Sequence, residues 1–427
     1  MFTTPQIIAI VVFVVVMALV ASEKVHRTLA ALLGALVLVC AGVISYDTGI
    51  EHIDFSTIGV LVGMMLFVSV VKESGLFEYT AIASAKLAKG NPWMIMVAFC
   101  IITAVLSAFL DNVTTVLLIG PMTLVVCRLL DVNPIPYFIT EILSSNIGGT
   151  ATLIGDPPNI MIGNAAGLEF IDFILNDAPA VIIIMVVVII IFKFMFGRGM
   201  EVSPEHQAAV MELDPKEHIK DMGLFKKSIV MIVLVVIFFM IHGQLGLESC
   251  VIALAAAAIM MLIGKADLEH CVYGVEWTTI GFFCGLFMVV GALSETGVIL
   301  MLANWIMDIC QGSPFIMMIV ILWASAIISA VLDNIPFCAT MIPVIAAIGA
   351  TGIDVWPLWW AISLGACLGG NGTLIGASAN VVLSSISTKE GYPISFMDFT
   401  KYGFPIMIVT IVVATIYMIL RYGLAML

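Results

Sequence analysis

Leu110-Asp111-Asn112-Val113 recurs 222 residues later as Leu332-Asp333-Asn334-Ile335. Gly148-Gly149-Thr150-Ala151-Thr152-Leu153-Ile154-Gly155 recurs 221 residues later as Gly369-Gly370-Asn371-Gly372-Thr373-Leu374-Ile375-Gly376. Working outward, Asp54-Phe55-Ser56-Thr57-Ile58-Gly59 returns as Glu276-Trp277-Thr278-Thr279-Ile280-Gly281, and Glu73-Ser74-Gly75 as Glu295-Thr296-Gly297. Four matches in the same order mark an internal duplication.

The background against which these motifs sit is apolar. Of 427 residues, 62% are hydrophobic and 11% charged, where soluble domains carry about 25% charged residues. The composition is that of a polytopic membrane protein, and the longest polar stretch runs only from Gly197 to Lys227. A net charge of −13 without a basic patch excludes nucleic-acid binding. The nine cysteines stand singly, with no C-x-x-C pair, so no zinc or redox motif is indicated and they read as small apolar residues. The first apolar run, Pro5–Ala21, follows MFTTPQ, which lacks the positive segment of a signal peptide, and reads as a transmembrane helix.

A span of the hydrocarbon core needs about 20 apolar residues. Candidate spans are 5–21, 28–45, 55–72 and 178–196 in the first half, and 228–242, 249–264, 276–293 and 404–422 in the second. Two regions per half do not read as simple spans. Residues 92–127 and 314–347 are broken midway by Asp-Asn, and 135–168 and 357–388 by the glycine-rich run. Polar backbone at membrane depth survives only where it is buried in protein or lines a wet cavity. The first pair therefore reads as re-entrant hairpins with Asp111-Asn112 and Asp333-Asn334 at their tips, and the second as helices broken at Gly148–Pro158 and Gly369–Ala379. Segments 75–90 and 296–311 read as amphipathic pieces at the interface.

The expectation is an all-α polytopic membrane protein of two inverted repeats. Each repeat has about five transmembrane helices, one of them broken, plus one re-entrant hairpin. Residues 1–197 form repeat 1, 198–227 a cytoplasmic linker and 228–427 repeat 2, within a single transmembrane domain. Five spans is an odd number, so the second repeat enters from the opposite side. The central loop holds Arg198, Lys216, Lys220, Lys226 and Lys227, which makes it cytoplasmic by the positive-inside rule and leaves both termini outside.

Broken helices of inverted repeats meet near the midplane in alternating-access carriers, where their free N–H and C=O groups hold substrate or ions. The residues at these four points are the expected site: Asp111, Asn112, Thr114 and Thr115 at the first tip, and Asp333 and Asn334 at the second. The first break adds Asn146, Gly149, Thr150, Thr152, Asp156 and Asn159, and the second Gly370, Asn371, Thr373 and Asn380. Intramembrane carboxylates are costly and mark function, although a tip aspartate also serves as a helix N-cap. Glu141, one turn before the first break, is a candidate for the proton path. Glu73 and Glu295 sit at span ends and read as solvated. No Lys, Arg or His falls within the hairpin and break segments, so the expected site is acidic and polar, suited to a neutral hydroxylated substrate or a cation.

The segments LDNVTTVLLIGPMT (Leu110–Thr123) and SNIGGTATLIGDPPNI (Ser145–Ile160) resemble the ion transporter superfamily. Within it, they are similar to the group holding the arsenite efflux permease ArsB and the melanosomal P protein. The resemblance covers essentially the whole chain. The superfamily's Ser-Asn-Thr tip stands here as Asp111-Asn112-Val113 and Asp333-Asn334-Ile335, a carboxylate in place of a sodium-holding hydroxyl, which favours proton coupling. The resemblance implies a multi-pass inner-membrane carrier exporting arsenite or antimonite in exchange for protons, sometimes with the cytoplasmic ATPase ArsA attached. Other members are NhaD-like sodium/proton antiporters or organic-anion carriers. No nucleophile–base pair or metal-ligand set suggests an enzyme or a cofactor. Repeat 2 departs from repeat 1 at Pro336, Phe337, Ala377, Ser378 and Ala379, so Asp156 has no counterpart.

Overall fold

The structure, a computed structural model, describes residues 2–22, 24–197 and 200–426. Arg198, one of the basic residues assigned to the central loop, lies outside the described residues. Among the described residues every regular element is helical. The first half runs α1 (Thr4–Ser22), α2 (Arg27–Cys40), α3 (Tyr46–Glu51), α4 (Phe55–Lys72), α5 (Leu76–Leu87) and α6 (Pro92–Ser107). It continues through α7 (Asn112–Leu130), α8 (Ile135–Gly149), α9 (Pro157–Ala166), α10 (Phe170–Asn176) and α11 (Ala178–Phe196). After α12 (Pro204–Glu212) the order repeats: α13 (Met222–Leu245), α14 (Ser249–Gly264), α15 (Leu268–Tyr273), α16 (Trp277–Glu295) and α17 (Val298–Ile309). Then follow α18 (Pro314–Ser329), α19 (Asn334–Gly349), α20 (Trp356–Gly369), α21 (Ser378–Lys389) and α22 (Phe396–Met418).

Local signals explain the repeated punctuation. Gly75 (φ +81°) and Gly297 (φ +78°) sit in the left-handed region between α4 and α5 and between α16 and α17, where a side chain would be strained. Asn91 and Ser313 cap α6 and α18 by accepting from the N–H groups of Met94 and Ile316, with a proline as the next residue in both. Both hairpins turn where expected, between Ser107 and Asn112 and between Ser329 and Asn334. Both broken helices are interrupted where expected, between Gly149 and Pro157 and between Gly369 and Ser378.

Several boundaries differ from the sequence reading. The span expected at 28–45 is a helix of 14 residues, about 21 Å at 1.5 Å per residue, and a separate short helix follows it. Its counterpart α14 has 16 residues. Among the described residues, seven helices are long and apolar enough to cross a bilayer by themselves, or eight if a bent pair is one span. The boundary set at 228 falls inside α13, which starts at Met222 under an Asp221 cap. The linker before it is not loose: Lys86 Nζ donates to Leu213 O (2.7 Å) and Lys220 N to Ser74 O (3.2 Å).

Packing is reciprocal between the halves. α4 lies on α14 and α16 on α2, at backbone contact: a Cβ on Gly63 would come within 2.6 Å of the Ala253 backbone, and one on Gly285 within 2.6 Å of Ala31. Within each half the first hairpin arm packs on the broken helix, α6 on α8 and α18 on α20. Here a Cβ on Gly148 would stand 2.2 Å from Ala104 O, and one on Gly369 2.6 Å from Ala326 O.

Candidate functional site

The hairpin tips are built from helix starts. Asp111 caps α7, accepting from Thr114 N (2.8 Å) and Thr114 Oγ1 (2.5 Å). Asp333 caps α19, accepting from Ile335 N (3.1 Å). The N-cap reading of both aspartates therefore holds, and their placement adds to it. A cavity of about 20 Å³, the room of roughly one water, is lined by Asp111, Asn112, Asp156 and Asn334, together with Arg27, Glu276, Thr279 and Ser378. Both tips and the first break thus contribute to one buried space. Asn334 Nδ2 lies 3.2 and 3.1 Å from the two Asp156 oxygens, joining the second tip to the first break.

Arg27, the first residue of α2, corrects the expectation of a site without a cation. Its Nη1 donates to Asp333 Oδ2 (3.1 Å) and Ser378 Oγ (2.6 Å), its Nη2 to Thr279 Oγ1 (3.1 Å), and its guanidinium stands 5.3 Å from the Phe282 ring centre. Ser378 Oγ also donates to Asp333 Oδ2 (3.0 Å), and Thr279 Oγ1 to Glu276 Oε2 (2.9 Å). The absence of basic residues from the hairpin and break segments is correct; the charge arrives from another helix.

Most of the other expected residues hold the breaks rather than line the cavity. Asn159 Nδ2 donates to Thr150 O (3.2 Å) and Thr152 O (3.0 Å) across the first break, and Asn380 Nδ2 to Gly370 O (2.8 Å) and Thr373 O (2.9 Å) across the second. The Thr152 and Thr373 hydroxyls donate to Ala108 O and Ala330 O at the hairpin turns, and Thr150 Oγ1 to Asn146 O. Asn146 joins the halves: its Nδ2 donates to Asn371 Oδ1 and Asn380 Oδ1, both at 2.9 Å, while its Oδ1 accepts from Asn112 Nδ2 (3.2 Å). Asn371 Nδ2 in turn reaches Leu143 O (3.2 Å). Gly149 and Gly370 allow the two sides of each break to touch, with Gly155 O and Gly376 O at 2.7 and 3.2 Å from where their Cβ atoms would be. Thr115 is buried with no partner for its hydroxyl among the described residues. Glu141 lies off the cavity, buried, and among the described residues accepts only from Thr123 Oγ1. Glu73 and Glu295 are half-exposed and pair with His270 and His52 of the opposite half.

Two vestibules share residues with the cavity. One of about 280 Å³ reaches Arg27, Asp333 and Ser378 past His26, and one of about 450 Å³ reaches Thr114 and Glu276 past Lys72 and Lys220. At the other end of α4, the hollows around Asp54, His52 and Glu248 share no lining residue with it. Sequence reasoning missed Arg27, Glu276, Thr279 and Ser378. Glu276 and Thr279 were present in the repeated Glu-Trp-Thr-Thr motif.

A helical bundle with polar, charge-bearing breaks closed around one buried cavity is a membrane transporter, and comparison with known proteins agrees. The family model for CitMHS, described as citrate transporter, matches residues 17–365, and the chain belongs to that family. It is similar to a 46 kDa membrane protein of Mycobacterium leprae, 42% identical over 98% of this chain and 99% of that one. An uncharacterised transporter of Mycobacterium tuberculosis is 43% identical over 98% and 99%. The P protein of Homo sapiens is 33% identical over 98% of this chain and 60% of its own length. Among solved structures, the YdaH transporter of Alcanivorax borkumensis shares the fold at a TM-score of 0.63, with 12% identity over 99% of both chains.

Proposed function

We propose that the chain is a secondary active transporter of the inner (plasma) membrane that carries a small carboxylate anion together with protons through the cavity between the hairpin tips. The observation that carries this reading is Arg27 held by Asp333 at the edge of a cavity whose other charged groups are Asp111, Asp156 and Glu276. A guanidinium matches a carboxylate in shape as well as charge. A substrate carboxylate takes the place of Asp333 on Arg27 when Asp333 accepts a proton, which ties anion binding to proton uptake. The remaining acids repel an anion unless protons or cations enter with it. The matched family's description as citrate transporter supports the substrate class.

The repeats are inverted in this reading, supported by the reciprocal packing of α4 on α14 and α16 on α2. The two vestibules lie at the end carrying Lys72 and Lys220, which supports a cytoplasmic position for that end and an inward-open state.

A second reading is export of arsenite or antimonite in exchange for protons, with ArsA docked on the cytoplasmic face. The neutral amides of Asn112 and Asn334 at the cavity favour it, since they suit a triol. Sodium/proton antiport is the third member of the set. Purified protein in liposomes with an imposed pH gradient separates them, using labelled citrate, arsenite and sodium in parallel. Citrate accumulation that collapses the gradient is expected. Inert citrate with gradient-driven arsenite or sodium movement overturns the carboxylate reading.

A further inference from the structure

The first helix break is closed by a hydrogen-bond chain that ends on a buried acid outside the cavity. Asn159 spends both amide hydrogens on Thr150 O and Thr152 O, which fixes its Oδ1 as an acceptor. That oxygen lies 2.7 Å from Ser363 Oγ, and Ser363 Oγ lies 2.5 Å from Asp177 Oδ2. A serine hydroxyl has one hydrogen. If Asp177 is ionised, Ser363 serves either Asp177 or Asn159, and the other buried acceptor goes short. The alternative donor to Asn159 is the Cys367 thiol at 3.6 Å, a weak one. Asp177 is fully buried, and its Oδ1 has no partner among the described residues, the costliest arrangement for a charge. A proton on Asp177 Oδ2 satisfies the chain, with Asp177 donating to Ser363 and Ser363 to Asn159.

We infer that Asp177 is a proton-binding site separate from the transport cavity, and that its proton locks the first helix break through Ser363 and Asn159. The groups facing Asp177 from the C-terminal helix are Arg421, Tyr417 and Tyr422, and all three donate to Asn176 instead: Arg421 to Oδ1 at 3.2 and 2.9 Å, Tyr422 to Oδ1 at 2.5 Å, Tyr417 to the carbonyl at 2.6 Å. Arg421 is the positive charge that favours release of the proton. On the other packed helices, Glu141 is bonded to Thr123, Tyr137 to Pro92 O, His242 to Phe170 N and Asp172 to Glu169 N. When the proton leaves, Ser363 turns to Asp177 and the break loop that carries Asp156 loses its anchor.

The test needs no transported substrate, so it stands or falls apart from the carboxylate reading. Infrared spectra of the full chain in lipid nanodiscs at neutral pH are compared with those of Asp177→Asn and Ser363→Ala. A buried protonated-carboxyl band lost in Asp177→Asn and shifted in Ser363→Ala is expected. A difference spectrum of carboxylate bands alone overturns the assignment, as does an unshifted band in folded Ser363→Ala should Asp177→Asn not fold. Hydrogen exchange then reads the lock at the Ala151 and Gly155 amides. Alkaline pH should loosen them about tenfold beyond intrinsic base catalysis in the wild type, the equivalent of one lost hydrogen bond. In Asp177→Asn, whose amide keeps donating to Ser363, they should stay protected. Equal behaviour of the two proteins overturns the coupling.

Discussion

At the second break Asn380 closes the loop and takes its own hydrogen bond from Asn146, an amide with one hydrogen for Asn380 and one for Asn371. At the first break Asn159 closes the loop in the same way, but the position matching Asn146 holds Cys367, and the strong donor is Ser363 with Asp177 behind it. The tips diverge as well. Asp111 is tied only to its own Thr114, whereas Asp333 is tied to Arg27 and Ser378 from two other elements. After duplication both halves kept the backbone task, breaking a helix at depth and capping a hairpin, because glycine and a short acceptor are what that geometry demands. The charged side chains were free to part company. The first half carries Asp111 and Asp156 at the cavity, and the second carries Glu276 there together with Asp333, an acid already matched by a cation.

The sharpest break of this comparison is to neutralise the open acids. Asp111→Asn and Asp156→Asn should each lower pH-gradient-driven uptake about 100-fold, equivalent to about 3 kcal/mol. Insertion and folding should be retained at Asp111 because Asn caps a helix as well as Asp, and at Asp156 because its side chain caps nothing and Asn keeps an oxygen for Asn334. Uptake into vesicles by the variants checks this; wild-type rates would make both acids structural. Next in size is the glycine pair. A Cβ on Gly149 meets Gly155 O at 2.7 Å, while one on Gly370 meets Ala377 Cβ at 3.1 Å. Gly149→Ala should therefore cost about 3 kcal/mol and Gly370→Ala about 1 kcal/mol, overpacking magnitudes readable as loss of thermal stability in detergent. Breaking the ion pair comes third. Arg27→Gln should destabilise by about 1–2 kcal/mol, discounted because Arg27 is 26% exposed. Combining it with Asp333→Asn should restore much of the loss in a double-mutant cycle, while substrate binding stays lost. The smallest effect comes from making the breaks alike. Cys367→Asn supplies the missing amide and should stabilise by about 0.5–1 kcal/mol, with the pH dependence of exchange at Ala151 and Gly155 flattened.

What the sequence made legible follows the same division. Hairpin turns, helix breaks and the tip aspartates were readable because glycine, proline and capping residues act within a few positions of the backbone they shape. Asn146, Asn159, Asn371 and Asn380 were readable as polar residues in apolar segments, but their work, holding the breaks, depends on which carbonyls they meet in space. Arg27 was not readable as a site residue. It meets Asp333 across 306 positions, and a basic residue beside a span is equally explained by membrane orientation. Asp177 was hidden for a related reason: an acid just before an apolar helix looks like an ordinary interfacial cap, and only Ser363, 186 positions away, gives it a role. The short span α2 was overestimated because apolar residues continue past the point where the helix stops at Cys40.

The glycine seams bear on mechanics. Gly63 on Ala253 and Gly285 on Ala31 weld the two halves together along α4–α14 and α2–α16, while Gly148 on Ala104 and Gly369 on Ala326 weld each hairpin arm to its broken helix. Backbones at that separation cannot slide without collision, so each seam moves as one solid piece. Any stroke that turns the cavity from one face to the other is left to the joints between the pieces, where α9 meets α4 and α19, and α16 meets α19. Asp156, just ahead of α9, and Asp333, at the head of α19, sit at those joints. Charged groups at and beside the cavity are therefore placed where the packed pieces meet.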